Sequence, residues 1–333
     1  MSGRDVLHGV PGEFAVVRCD SCRHFYMNPR PADESLGDCY PDDYGCHTPP
    51  PAAAPAAAPR PWYASAGGAV GLRPLYRWLC DKRSLVLPEG RGRRAVEVGC
   101  GRGDFLVRLR EAGWHARGVD LVPAAAETAR SRGFEVHRGT LSDAVLTPGS
   151  HDAVFGWMVL EHVADPRGFL GAAFDALRPG GELHVSVPDF GAIERRVFGN
   201  DWLGLELPRH LQHFTPASVR RLLGAAGFEG VRVVHQRSAF YLVASLGLRL
   251  RRLGLSAAGD RLLAFVDSPS VRGELLLAPL AKVLGWTRQS GRMTVSARKP
   301  AGAAVPAAPE GEIAAGQPPN TAAVQRPSQA VTE

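Results

Sequence analysis

Apolar and polar positions along residues 93–299 switch repeatedly between two periods. Ala95, Val96 and Val98 form a short apolar run broken by Glu97; past a glycine-rich turn, Phe105, Leu106 and Leu109 recur at helical spacing, which predicts strand, tight turn and a helix over 104–112. The change of period then repeats. Trp114 to Asp120 reads as a second strand, a helix begins at Pro123, and Phe134 to His137 reads as a third strand. A fourth strand begins at Asp152, and Asp165-Pro166 sets a capping acid and a first-turn proline at the head of a helix. Leu177-Arg-Pro-Gly-Gly181 ends that helix ahead of a fifth strand from Glu182 to Pro188. Thr215-Pro216 opens a further helix, and Val231 to His235 and Met293 to Ala297 supply the sixth and final strands. Strands alternating with helices predict an α/β fold whose ligand lies past the carboxyl ends of the strands.

Composition narrows the class. The 333 residues, 45% hydrophobic and 22% charged, suffice for one large domain with appendages. The net charge of +6 invites a nucleic-acid partner, but only Lys82, Lys282 and Lys299 among the 39 basic residues are lysines and arginine is spread through the chain, so none is expected. Phe240 to Leu248 is stopped by Arg249, so no transmembrane helix is expected, and the N-terminus lacks the apolar stretch of a signal peptide. A cytoplasmic protein is the expectation, with the six cysteines as thiols or metal ligands rather than disulfides.

Gly99, Gly101 and Gly103 stand at alternate positions, so the third place of a dinucleotide fingerprint falls on Asp104. Carboxylates at Glu97 and Asp104 repel a pyrophosphate and favour a cationic ligand. Here the chain resembles the class I S-adenosylmethionine-dependent methyltransferases, whose first motif is an acidic residue followed by G-x-G-x-G. Asp120 ends the second strand, Asp152 to Pro166 resembles the family's D-x-V-x...L-E-H-V-x-D-P stretch, and Leu177 to Leu183 its L-R-P-G-G-x-L pattern. The resemblance implies a Rossmann-like, seven-stranded, mostly parallel sheet with helices on both faces and a hairpin at the last strand. It implies S-adenosylmethionine as cofactor, with Glu97 toward its methionine amino group, Gly99, Gly101 and Gly103 under it, and Thr140 and Leu141 beside the adenine. Asp120 offers two acceptor oxygens to the ribose hydroxyls, or caps the helix beginning at Pro123. Trp157 and Met158 contact the cofactor or are ordinary core. A nicotinamide-dependent oxidoreductase on the same sheet and a non-catalytic cofactor-binding interaction protein stay open as other classes.

Pro208-Arg209-His210-Leu211-Gln212-His213-Phe214 resembles the P-R-H-x-x-H-F segment of a bacterial subgroup of these enzymes. His210 and His213, with His162, are candidates to take a proton from an acceptor hydroxyl or to orient the acceptor, a locking role in the loop being the other reading. The acceptor is read as a small molecule methylated on oxygen: a sugar, a quinone precursor or another secondary metabolite. Residues 236–291 form a leucine- and arginine-rich helical insertion, read as a lid or homodimer surface, with weak attachment to a membrane face as the alternative.

At the N-terminus, Cys19-Asp-Ser-Cys22 after Phe14 to Val17 has the form of one zinc-ribbon knuckle. Family members resembling this chain carry two such pairs before N-P-R-P and Y-x-x-x-Y segments; here the chain begins too late for the first pair. Cys39 and Cys46 complete a set of four for zinc at irregular spacing, against a metal-free remnant. The chain thus divides into a cysteine module (1–47), a stiff Pro/Ala linker (48–61), a methyltransferase domain (62–299) and a tail expected to be disordered (300–333). Leu72, Leu75, Tyr76, Leu79 and Leu85 predict a helix over 71–87, laid on the sheet edge or the cofactor pocket.

Overall fold

The computed structural model describes residues 1–40, 87 and 89–304. The chain opens on β1 (Ser2–Gly3), β2 (Phe14–Arg18) and β3 (Phe25–Met27), an antiparallel set. The first βα unit follows as β4 (Arg94–Val98) and α1 (Asp104–Glu111), then β5 (His115–Asp120), α2 (Pro123–Ser131) and β6 (Val136–Arg138). Next come β7 (His151–Trp157), α3 (Pro166–Ala176), β8 (Leu177–Pro188), α4 (Ile193–Phe198), β9 (Gln212–His213), α5 (Pro216–Ala225) and β10 (Glu229–His235). Helices α6 (Phe240–Arg252), α7 (Ser256–Asp267) and α8 (Val271–Trp286) precede β11 (Arg292–Arg298).

Seven of these strands form one sheet in the order β10-β11-β8-β7-β4-β5-β6, parallel except for β11, which runs antiparallel to both neighbours. This is the mostly parallel, seven-stranded Rossmann-like sheet that the sequence implied. Strand alternation divides its two cores. Ala95, Ala153 and Phe155 face α1 and α2, where they pack with Phe105, Leu106, Leu109 and Ala129. Val96, Val98 and Val154 face the other way, onto Phe169, Leu170 and Ala173 of α3 and Val219 and Leu223 of α5. Asp165 caps α3 through Arg167 N–H, and Thr215 with Ser218 forms a capping box on α5, as serine and threonine oxygens do at helix starts.

Two boundaries depart from the sequence reading. The fifth strand begins at Leu177, five residues before Glu182, because Leu177 pairs with His151 and Gly180 N–H finds Lys299 O, so the R-P-G-G stretch has partners on both sides. The third strand starts at Val136, since Phe134 N–H bonds to Ala129 O and the Phe134 side chain joins the core behind α2.

The N-terminal strands are built onto the catalytic part of the chain. β3 pairs with β9, Phe25 opposite His213, and Val16 and Met27 share a core with Phe190, Trp202, Leu205, Leu207 and Leu211. Arg209 is wholly buried and bidentate to Asp5 at 2.9 Å and 2.9 Å, with a further bond to Cys39 O.

The 236–291 insertion is helical, as expected. Its first two helices approach closely at Gly247 and Gly259, where a Cβ on Gly259 would lie 2.6 Å from Gly247 O, so only glycine fits. One face of α8 stays open, with Leu276 81% and Trp286 83% exposed. No helix among the described residues is long and apolar enough to cross a membrane. The linker at 48–61, the helix expected over 71–87 except its last residue, Cys46 and the tail beyond 304 lie outside the described residues.

Candidate active site

The glycine turn sits where β4 ends. Gly99, Gly101 and Gly103 all have positive φ, and a Cβ on Gly99 would lie 2.4 Å from Val159 Cγ2, so the turn is closed to larger residues both by backbone and by contact. Asp120 clamps it: Oδ2 accepts Gly101 N–H at 2.7 Å and Oδ1 accepts Val122 N–H at 2.8 Å. The carboxylate thus ties the turn to the end of β5, and it does not cap α2, whose N-cap is Val122.

Glu97 is buried beneath this turn, and its Oε2 has no partner among the described residues. Burial, then the charges of Asp120 and Asp104, push its carboxyl well above the usual range. Asp104 itself bonds outward to Arg102 at 3.1 Å and Arg132 at 2.7 Å, so its charge is already matched. The acid left without a partner at the turn is therefore Glu97. A buried acid with an open oxygen, beside a turn whose alternate positions carry no side chain, fits a ligand that brings a positive amino group.

The remaining cofactor-side residues are spread around the strand ends. Thr140 bonds to Asp143 through both N–H and hydroxyl, while Leu141 is buried in the main core. Trp157 packs on Phe105 and Phe155, its indole N–H without a partner among the described residues. Met158 takes φ +56° and donates its N–H to Ser186 O, so the segment after β7 turns sharply over β8.

That turn leads into Leu160–His162, a 3-10 turn, and here the structure gathers a group the sequence reading had only in part. Glu161, His162 and His210 each bring one ligand-capable atom within 4.8 Å of the others. Glu161 is fully buried with neither carboxyl oxygen partnered among the described residues, and burial pushes it up to about 8. His162 and His210 have ring centroids 4.7 Å apart. His162 Nδ1 lies 3.2 Å from Arg209 O and 3.0 Å from the Tyr40 hydroxyl; His210 Nδ1 lies 3.0 Å from Gly204 O. A carbonyl can only accept, so His210 Nδ1 carries a proton toward Gly204 O, while its Nε2 lies 3.4 Å from Glu206 Oε2 and His162 Nδ1 faces both a carbonyl and a hydroxyl. Burial lowers His162 to about 3 and His210 to about 4, so both are neutral at physiological pH. This donor set would also hold a divalent cation.

His213 stands apart from that trio, on β9 against β3 and Phe190, with Nε2 unpartnered among the described residues and its pKa lowered by burial. Glu161 was missed in the sequence, although an acid between Leu160 and His162 was the available signal.

Among the described residues nothing completes a zinc site at Cys19 and Cys22, and Cys46 lies outside them. Cys19 and Cys22 lie on the turn between β2 and β3, whereas Cys39 is buried, with its thiol directed at Ser35 O and its carbonyl taken by Arg209. No third described cysteine, histidine or acid joins Cys19 and Cys22 in a ligand group.

Residues 73–233 match a family model described as a methyltransferase domain. The chain is 31% identical over 175 residues to a ubiquinone biosynthesis O-methyltransferase of Methylococcus capsulatus, covering 47% of this chain and 74% of that one. It is 29% identical over 163 residues to the protein of the same name from Aeromonas salmonicida, covering 45% and 67%. A solved S-adenosylmethionine-dependent methyltransferase from Mesorhizobium loti aligns with TM-score 0.44 at 22% identity, over 68% of this chain and 100% of that one.

Proposed function

The chain belongs to the class I S-adenosylmethionine-dependent methyltransferases, and from that premise we propose that it methylates a hydroxyl oxygen of a small molecule, with Glu161 as the base. The observation that carries this reading is the fully buried, unpartnered Glu161 carboxyl beside two neutral imidazoles, at the end of the strand that overhangs the glycine turn. When bound, the cofactor supplies an electrophilic methyl group on a sulfonium whose departure leaves a neutral thioether. The glycines and Glu97 would hold its methionine end, Asp120 the ribose, and Thr140 with Leu141 the adenine. Glu161 takes the acceptor's hydroxyl proton as the oxygen attacks, and a pKa near the working pH suits it to that task better than either histidine. His162 and His210, held at Nδ1 beside the Arg209 and Gly204 carbonyls, flank Glu161, and the His162 ring orients the hydroxyl. The O-methyltransferase relatives support oxygen as the accepting atom.

Incubation of the purified chain with labelled cofactor and a set of catechols, phenols and polyols tests the reading. Label recovered as a methyl ether supports it; label on carbon or nitrogen, or no binding of S-adenosylhomocysteine at millimolar excess, overturns it.

Two further results are expected. Burial raises the Glu97 pKa and a cationic amino group favours the ionised form, so cofactor binding is expected to release a proton. Affinity for S-adenosylhomocysteine therefore falls as pH is lowered, and titration calorimetry in buffers of different ionisation enthalpy reads the proton directly. In Glu97→Gln this proton release disappears and affinity drops by about 1.5–3 kcal/mol, on the order of ten- to a hundredfold. His213→Ala is expected to lower turnover much more than cofactor affinity; unchanged turnover at saturating acceptor rejects a role for that ring in the site.

A further inference from the structure

Buried polar atoms in native proteins nearly always find hydrogen-bond partners, and one left without costs about 1–3 kcal/mol. Seven of the buried side-chain atoms left without a partner among the described residues belong to five residues: both carboxyl oxygens of Glu161 and of Glu194, Trp202 Nε1, Ser290 Oγ and Arg292 Nε.

Tyr241 on α6 has the Gly291 segment and Trp202 beside it and the charged groups of Glu161, Glu194 and Arg292 nearby. A Cβ on Gly291 would lie 2.2 Å from Glu194 Oε2 and 3.2 Å from Tyr241 Cβ, so the start of β11 is pressed between them. Trp202 lies with its ring 5.9 Å from that of Tyr241. After burial, the nearby charges acting on the Tyr241 phenol are Arg292, Glu161, Glu206 and Glu194. Arg292 reaches Ser186 Oγ only at 3.5 Å, and Ser186 O in turn holds Met158 N–H at the head of the Glu161 turn. Glu194, Trp202 and Arg292 therefore share the surroundings of Tyr241 with Glu161.

Burial raises Glu194 to about 7; the Gly291 amide and the Trp202 indole face it and draw it down, without closing a well-formed hydrogen bond. Neutral carboxyls both donate and accept, as ring hydroxyls do. A phenol with a hydrocarbon tail brings one or two polar groups and would leave most of these atoms unpaired. A polyol ring brings a donor and an acceptor at each carbon and an apolar face for the Tyr241 and Trp202 rings.

Resting on the methyltransferase reading above, we propose that the acceptor is a sugar or sugar-like polyol, its non-reacting hydroxyls bound by Glu194, Ser290, Arg292 and the Trp202 indole while Glu161 takes the reacting one. The test is calorimetric titration of the full chain loaded with S-adenosylhomocysteine. The probes are hexoses, 6-deoxyhexoses and hexuronates, free and nucleotide-linked, beside catechols with and without an alkyl tail. At least one sugar is expected to bind, and Glu194→Leu to weaken that sugar at least tenfold with cofactor affinity unchanged and the melting temperature no lower. Glu194→Gln, which keeps the donor and acceptor, should restore most of the binding. Binding of a catechol but of no sugar overturns the proposal, as does a Glu194→Leu protein that binds sugar normally. Failure of S-adenosylhomocysteine itself to bind overturns the methyltransferase reading instead.

Discussion

Glu161→Gln is expected to lower kcat by about two to four orders of magnitude, the usual range for loss of a general base, while leaving the affinity for S-adenosylhomocysteine unchanged. The substitution keeps shape and volume in a wholly buried place and removes only the ability to accept a proton. The sign of the pH dependence follows from the raised pKa. The ionised carboxylate is the working form, so in the unmodified enzyme turnover at saturating cofactor and acceptor rises with pH and levels off above about 8. In Glu161→Gln that rising limb disappears. A variant that keeps both the limb and the rate would move the base to another group. Because neither oxygen of Glu161 has a partner among the described residues, no native hydrogen bond is lost, and the melting temperature should not fall.

Arg209→Ala is expected to be the most destabilising single change on this chain. Its guanidinium has no exposed surface and engages Asp5, Glu206 at 3.2 Å and Cys39 O at 3.0 Å. Removing it strands a buried carboxylate at Asp5, a loss of about 3–5 kcal/mol by comparison with other broken buried pairs, or on the order of 10 °C in melting temperature. Removing both partners should cost less than the sum of the single changes, and a double-mutant cycle with Asp5→Ala measures that coupling. The pair also has a pH signature. Burial alone would raise Asp5, but the Arg209 guanidinium and the His8 and Leu7 amides hold it down to about 2 against an ordinary 3.8. Its contribution is present above 3.8 and is lost as pH falls toward 2. Since Arg209 also fixes the loop carrying His210, acceptor turnover should suffer before cofactor binding does.

What the sequence made legible was local. The glycine turn, the Asp120 position and the alternation of β4 to β7 are written in neighbouring residues, because a strand's period and a turn's backbone needs act over a few positions. The acceptor side is not local. Glu161, Glu194 and Tyr241 lie on separate elements, and Arg292 joins them because β11 returns antiparallel beside β8, a return that no spacing in the chain records. Cys39 shows the reverse error. Cysteine spacing invited a metal site, but the residue is held by Ser35 and Arg209 in a contact between distant segments. Asp104 likewise carries the expected charge, but it is ion-paired with Arg132, just past the end of α2.

The far end of β11 makes the sheet readable by chemistry that has nothing to do with catalysis. Lys299 is completely buried, its ammonium donating to Phe174 O at 2.7 Å and Leu177 O at 2.8 Å over the Phe174 ring. An acylating reagent can meet this amine only when β11 has left its place against α3, whereas Lys282 on α8 is only partly covered. In a chain with three lysines, the mass-resolved ratio of modification at 299 to that at 282 is therefore a clock for opening of the central sheet.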